Sequence, residues 1–198
     1  MRGQLYVETN TESLCNPTRE TEWSISGQHT GITDLLLTDN GRRKAGTLQY
    51  MLKPRSFALV LVSPLRRAIE TCEISGLGAE AQGDPDLMEW NYGEYEGLTA
   101  SQIDEKAPGW LLFTRGAPGE ETPEQVSARV DLVIARARAA EGNVALFGHG
   151  HLLRVWAARW LGLPASAGSR FLLGTGTPNV LSYYRGVPAI ERWNSAVG

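Results

Sequence analysis

The chain of 198 residues predicts an α/β fold, a three-layer sandwich whose central sheet is mostly parallel. Two observations carry that prediction. The first is a pair of short apolar runs, Phe57-Ala-Leu-Val-Leu-Val-Ser63 and Asn143-Val-Ala-Leu-Phe-Gly-His149. Continuous apolar runs of this length suit strands covered on both faces. The second is the helical pattern after each run. Pro64 to Ser75 places Leu65, Ala68, Ile69 and Cys72 at helical spacing, and His151 to Leu163 is rich in Leu, Ala and Trp. Strand then helix, twice over, is the signature of parallel pairing.

The remaining elements are read in chain order. Asn10 to Asn16 lacks a strand-like run, and only Leu5-Tyr-Val7 alternates as a strand would. Residues 1–18 are therefore expected to supply at most a poor edge strand. Thr38 is placed to cap a helix running through Arg42 and Ala45 to Leu52, which stops before Pro54. Residues 76–121 carry Gly, Pro, Trp and acids with weak periodicity, which suits a functional loop or a set of short helices. Thr122-Pro-Glu-Gln125 is a capping box with proline at the first helical position. It opens a helix with Val126, Val130, Val133 and Ile134 inward, ending before Gly142. Val180 to Tyr184, Arg185-Gly186 and Ala189 to Trp193 read as a hairpin.

Composition narrows the function. Apolar residues make up 42% of the chain, enough for one domain with a substantial core, and we read 1–198 as a single domain. A formal charge of −3 argues against a nucleic-acid partner, which calls for a strongly basic face. No apolar run approaches the roughly 20 residues of a membrane helix, and no signal-peptide core opens the chain. Two cysteines, Cys15 and Cys72, cannot build a disulfide framework, which fits a cytoplasmic location. Carboxylates and histidines do not cluster at ligand spacing, so neither a metal nor another cofactor is expected. The expected partner is a small phosphorylated molecule or phosphate itself, with oligomerisation left open.

Four segments carry candidate chemistry. Ligands of open α/β sheets sit at the carboxyl ends of the strands, where Ser63 and His149 stand. In Phe147-Gly-His-Gly-His151, glycines let a ligand approach His149 closely, and Gly150 offers a backbone amide to an anion. In Ser63-Pro-Leu-Arg-Arg-Ala-Ile-Glu-Thr71, two guanidinium groups open a helix, where they oppose its dipole unless an anion is present. Glu89-Trp-Asn-Tyr-Gly-Glu-Tyr-Glu-Gly97 could hold a carboxyl group partly desolvated and suited to proton delivery. Thr21-Glu-Trp-Ser-Ile-Ser-Gly-Gln-His-Thr-Gly31 supplies hydroxyls and glycines that could line an oxyanion cradle. Each alone also fits a structural role.

Together, in this order, they resemble the histidine phosphatase superfamily, the phosphoglycerate-mutase-like fold, from about Arg19 to Asn194. SPLRRAIET is similar to the family's S-P-x-x-R-A-x-x-T, EWNYGEYEG to E-x-x-Y-G-x-x-E-G, and FGHGHLLR to the second histidine motif. The resemblance implies phosphoryl transfer through a phosphohistidine. It implies Arg67 as the phosphate-binding arginine, Glu89 as the acid/base and His149 as the second histidine, with Ser24, Thr30, Gly31 and Gly150 lining the pocket.

The chain departs from the family at its first motif, R-H-G-[ET], which carries the nucleophile. Pro17, Thr18 and Arg19 fall there, and no histidine precedes His29. Threonine needs a dedicated base to act as a nucleophile. Cys15 lies too close to Arg19 for a cysteine phosphate loop, and His29 falls in a covering loop. Residues 1–18 are thus anomalous: disordered, or the product of a shifted reading frame. The expected function is a phosphatase of small phosphomonoesters such as sugar phosphates, impaired as written. The alternatives are an inactive phosphate-binding pseudophosphatase and mutase-type phosphoryl transfer, the latter less favoured because the middle region is short for an elaborate lid.

Overall fold

The computed structural model describes residues 12–195. Leu5-Tyr-Val7 lies outside the described residues. The strands are β1 (Ser13–Pro17), β2 (Leu59–Val62), β3 (Ala81–Gly83), β4 (Val144–Gly148), β5 (Asn179–Tyr184) and β6 (Val187–Arg192). They form one sheet in the order β3-β2-β4-β1-β5-β6. The first four are parallel to one another, and β5 and β6 add an antiparallel edge. The helices are α1 (Glu22–Ser26), α2 (Asp39–Leu52), α3 (Arg66–Ile74), α4 (Ala100–Lys106), α5 (Leu112–Arg115), α6 (Pro123–Ala139) and α7 (Gly150–Trp160).

Alternation along each strand divides the core into two layers. Cys15, Leu61, Leu146 and Leu181 face α6 and α7, where they meet Val130, Val133, Leu153 and Trp156. Leu14, Val60, Val62, Ala145, Phe147 and Val180 face α2 and α3, against Leu48, Leu52, Ala68 and Cys72. This is the three-layer sandwich that the paired strand-helix patterns predict.

The local signals hold where a polar side chain meets a helix end. The Thr38 hydroxyl accepts from the Gly41 amide at 2.9 Å, and Thr122 with Gln125 forms the capping box ahead of α6. The β5–β6 hairpin turns on Arg185 and Gly186, both at positive φ (51° and 79°), the geometry of a type I′ turn. Residues 76–121 hold β3, α4, α5 and three single 3₁₀ turns.

The expectation for the N-terminal segment is overturned. Residues 13–17 form an interior strand, between β4 and β5, and every one of them is buried. Its neighbours impose the strand: the backbone is paired on both sides although Ser-Leu-Cys-Asn-Pro has little strand character. Pro17 is tolerated because it closes the strand. Parallel register sets Pro17 beside Gly148, and the Thr18 amide donates to the Gly148 carbonyl at 2.9 Å. Residue 18 therefore stands at the sheet's carboxyl end next to His149. No helix among the described residues is long and apolar enough to cross a membrane.

Candidate active site

The site assembles where β2 and β4 end and α3 and α7 begin. Arg67, His149 and Glu89 are 2%, 1% and 5% exposed, so each polar atom must find a partner within the protein or a ligand. The Arg67 Nε donates to His149 Nδ1 at 3.2 Å. His149 Nδ1 is thus an acceptor, and the ring's proton lies on Nε2, 2.7 Å from the Ser63 hydroxyl. Burial, and then the neighbouring Arg67 charge, push the imidazole well below its ordinary pKa. His149 is neutral.

Arg67 reaches across to the loop before α2. Its Nη1 donates to the Thr33 carbonyl at 2.7 Å, and Nη2 to the carbonyls of Gly31 (2.6 Å) and Thr30 (3.4 Å). The packing around this loop dictates Gly31. A Cβ there would lie 2.5 Å from the Trp90 carbonyl and 2.6 Å from Glu96 Oε2. Burial lowers the guanidinium's pKa, opposed by the charges of Glu89 and Asp34. Arg66 turns outward and is exposed. The dipole cost of two arginines at the start of α3 is met from outside the helix: Asp34 Oδ1 accepts from the Arg66 amide at 2.7 Å.

Glu89 occupies the N-terminus of α7, which His149 leaves without a side-chain cap. Its Oε1 accepts from the amides of Leu152 and Trp90, both at 2.9 Å, and Oε2 from His151 at 3.0 Å. Burial raises the Glu89 pKa, and these amides and Arg67 pull the other way. Gly150 leaves room: a Cβ would sit 3.9 Å from Glu89 Oε2. Two opposed effects thus act on a carboxyl group that shares its surroundings with a cation and a neutral imidazole.

Of the residues anticipated, the structure brings together Arg67, Glu89, His149, Thr30, Gly31 and Gly150. Ser24 stands apart. It is exposed, and its hydroxyl is spent on the Thr21 turn, accepting from the Thr21 amide at 2.9 Å and donating to the Thr21 carbonyl at 2.8 Å. Capping α1 is what Ser24 does here. Three further residues support the site through partners distant in sequence, and of these only Glu96 has a local signal, as the second glutamate of the E-x-x-Y-G-x-x-E-G pattern. Glu96 Oε1 accepts from the Gly31 and Thr33 amides, holding the loop that Arg67 grips. Arg129 on α6 donates to the carbonyls of Met88 and Glu89 and forms a two-point pair with Glu121. The Asn91 amide donates in turn to Glu121, so the Glu89 segment is clamped from behind.

The N-terminal flank is less well made. Arg19 is buried, with Nη1 donating to the Gly176 carbonyl and with Nε and Nη2 unpartnered. Burial lowers its pKa to about 10. Cys15 is wholly buried and its thiol is pushed up far from thiolate, so it is no nucleophile. Among the described residues no group of His, Cys, Asp and Glu is arranged to hold a metal ion.

Known proteins resemble this chain along nearly its whole length. It is 39% identical over 173 residues to an acid phosphatase of Mycobacterium tuberculosis, covering 85% of this chain and 84% of that one. The solved structure of an open-reading-frame product from Mycobacterium tuberculosis superposes with a TM-score of 0.90 at 34% identity, covering 96% of this chain and all of that one. A mycobacterial glucosyl-3-phosphoglycerate phosphatase, solved in complex with VO3, superposes with a TM-score of 0.83 at 27% identity, covering 94% and 100%. The family model of the histidine phosphatase superfamily, branch 1, matches residues 20–196. With that match spanning Arg67, Glu89 and His149, the chain belongs to the histidine phosphatase superfamily.

Proposed function

We propose that this protein is a phosphatase of small phosphomonoesters, sugar phosphates among them, whose site lacks the Arg-His-Gly of the first motif and with it the nucleophile. The observation that carries this is the pairing of Arg67 with a neutral His149 beside the buried Glu89 carboxyl. Arg67 meets the equatorial phosphoryl oxygens, where phosphoryl transfer gains most of its stabilisation, and His149 positions it: Nδ1 accepts from the Arg67 Nε while the Nε2 proton is held by the Ser63 hydroxyl. Glu89, its pKa raised by burial, delivers a proton to the departing oxygen. Thr18 stands where the resemblance implies a histidine. In the chain as written, water attacks phosphorus directly, the bond to the alcohol breaks, and the products are the free alcohol and inorganic phosphate. We place the activity in the cytoplasm, on the two unpaired thiols. Release of phosphate from p-nitrophenyl phosphate and hexose phosphates tests the assignment. Activity should vanish in His149→Ala and fall for hexose phosphates in Glu89→Gln; activity unchanged in both would overturn it.

A second reading concerns position 18, and one observation favours it. The family match begins at Glu20, directly after the strand whose side chains fit least. Pro17-Thr18-Arg19 can be encoded CCG-ACA-CGG, and those bases read one position later begin CGA-CAC-GG, which is Arg-His-Gly. The same shift turns Ser13 to Asn16 into strings such as Val-Tyr-Val-Ile, an apolar strand. One additional base before the Glu20 codon would rejoin the frames. Sequencing the gene across these codons decides it. Finding that base, with a native protein of the corresponding mass, gives an active enzyme; codons that cannot yield CAC in the shifted frame remove this reading.

A further inference from the structure

The stretch that carries Glu89 has no ladder of its own. Residues 88–92 lie in neither helix nor strand, between the 3₁₀ turns Pro85–Leu87 and Gly93–Tyr95. A carboxyl group on such a segment keeps its place only if other groups hold the backbone beneath it. Here they come from α6 and from Glu121, which precedes its cap. The Met88 and Glu89 carbonyls accept from Arg129, and the Asn91 amide donates to Glu121 Oε2 at 3.1 Å. The Trp90 indole, wholly buried, donates to the Glu121 carbonyl at 2.9 Å.

Arg129 suits this task as a lysine would not. A guanidinium carries five N–H donors in one plane, and here all five are engaged. Nε donates to Glu121 Oε1 at 2.7 Å, and Nη2 to Glu121 Oε2 at 3.0 Å and the Glu89 carbonyl at 3.4 Å. Nη1 donates to the carbonyls of Asp86 at 2.8 Å and Met88 at 2.6 Å. The pair is sheltered, its side chains 13% and 25% exposed. Arg129 bonds to the main chain of Glu89 and not to its carboxyl. The carboxyl itself rests on the amides of Trp90, His151 and Leu152 at 2.9 to 3.0 Å, bonds that a displacement of about 1 Å would break.

We propose that Arg129, through its pair with Glu121, is the positioning residue for Glu89: it fixes the main chain so that the carboxyl stays on the α7 amides. The inference rests on the phosphatase reading, in which Glu89 gives its proton to the departing oxygen. A displacement of about 1 Å costs on the order of 100-fold in a step that depends on alignment, which sets the scale of the effect. Phosphate binding lies outside its reach. Arg67 is held by His149 and by the Thr30, Gly31 and Thr33 carbonyls, and His149 by Ser63, none of which bonds to Arg129. Arg129→Lys keeps the positive charge that bears on His149 and removes only the fork.

Two measurements on Arg129→Lys test it, with Glu121→Gln carrying the same tests should the first variant fail to fold. Amide hydrogen exchange reads the placement without turnover. Exchange at His151 and Leu152 should quicken at least about tenfold, while the Leu153 amide, which donates to the His149 carbonyl, stays protected. Hydrolysis reads the consequence: kcat for phenyl phosphate, whose leaving group needs the proton, should fall roughly 10- to 100-fold. For p-nitrophenyl phosphate the fall should stay within about threefold, with KM unchanged for both, and in a Glu89→Gln background the same substitution should add nothing. Unchanged exchange at His151 and Leu152, or equally quickened exchange at Leu153, would overturn the positioning role. A full loss that persists in the Glu89→Gln background would overturn it too. Quickened exchange at the two amides alone, with both substrates slowed equally, would instead overturn the reading of Glu89 as the proton donor.

Discussion

Two neighbouring strands, β1 and β4, have the same environment and opposite fits. They are parallel, in register over five pairs and buried along their whole length. In β4, Val-Ala-Leu-Phe-Gly fills both core layers, and the next residue, His149, has both ring nitrogens hydrogen-bonded. In β1, Ser13 Oγ and Asn16 Oδ1 are buried without partners, and beyond it the Arg19 guanidinium has two such nitrogens. Four of the six buried unpartnered side-chain atoms among the described residues therefore lie between Ser13 and Arg19. The place of a strand is set by the sheet around it; the quality of its fit is set by its own residues. β1 has the first without the second, and the site inherits the deficit at position 18.

The largest expected effect comes from giving the β1 end what the β4 end already has. Replacing Pro17→Arg, Thr18→His and Arg19→Gly together should raise phosphatase kcat by at least about a thousandfold, since loss of a nucleophile costs that much or more in enzymes that use one. Gly at 19 also removes the guanidinium whose Nε and Nη2 are buried without partners. An assay with p-nitrophenyl phosphate reads the gain directly.

Smaller effects should appear in stability, with opposite signs in the two strands. Leu146→Ala opens a cavity beneath α6 and α7 and should cost about 2–5 kcal/mol in urea denaturation. Asn16→Val removes a buried unpaired oxygen and two long hydrogen bonds of 3.4 Å, and should stabilise by about 1 kcal/mol. A loss in both variants would mean that β1 is as well fitted as β4.

A last contrast concerns pH. Glu89 titrates above the ordinary carboxyl range because of its burial, so its acid form persists to higher pH and is lost as pH rises through that raised value. Hydrolysis of hexose phosphates should therefore fall on the alkaline side. Hydrolysis of p-nitrophenyl phosphate, whose leaving group needs no proton, should fall less. Equal alkaline limbs for both substrates, or a limb that survives in Glu89→Gln, would remove Glu89 from the proton-delivery role.

Most of this architecture is legible in the sequence because it rests on local chemistry. Thr38, Thr122-Pro-Glu-Gln125 and Arg185-Gly186 act within a few residues of themselves, and the apolar runs of β2 and β4 can be buried in only one way. The site residues Arg67, Glu89 and His149 are visible because each lies within a dense local pattern. β1 is not legible, since its strand state comes from pairing with residues more than a hundred positions away. Nor are Arg129 and Glu121, which act on loops that only the tertiary fold brings near; Glu96 is visible as a position of the E-x-x-Y-G-x-x-E-G pattern, but its hold on the Gly31 and Thr33 amides is not. Ser24 misleads for the reverse reason: a hydroxyl that suits an oxyanion cradle suits a helix cap equally well.

The central claim is that a phosphatase site is assembled here around an empty role at position 18. Intact-mass measurement of the Pro17→Arg, Thr18→His, Arg19→Gly protein during turnover of p-nitrophenyl phosphate tests it most directly. The predicted result is one phosphoryl group per chain, located on residue 18, and its loss when Arg67 is replaced by Ala. A folded variant that binds phosphate yet carries no phosphoryl group and hydrolyses no faster than the starting protein would contradict it.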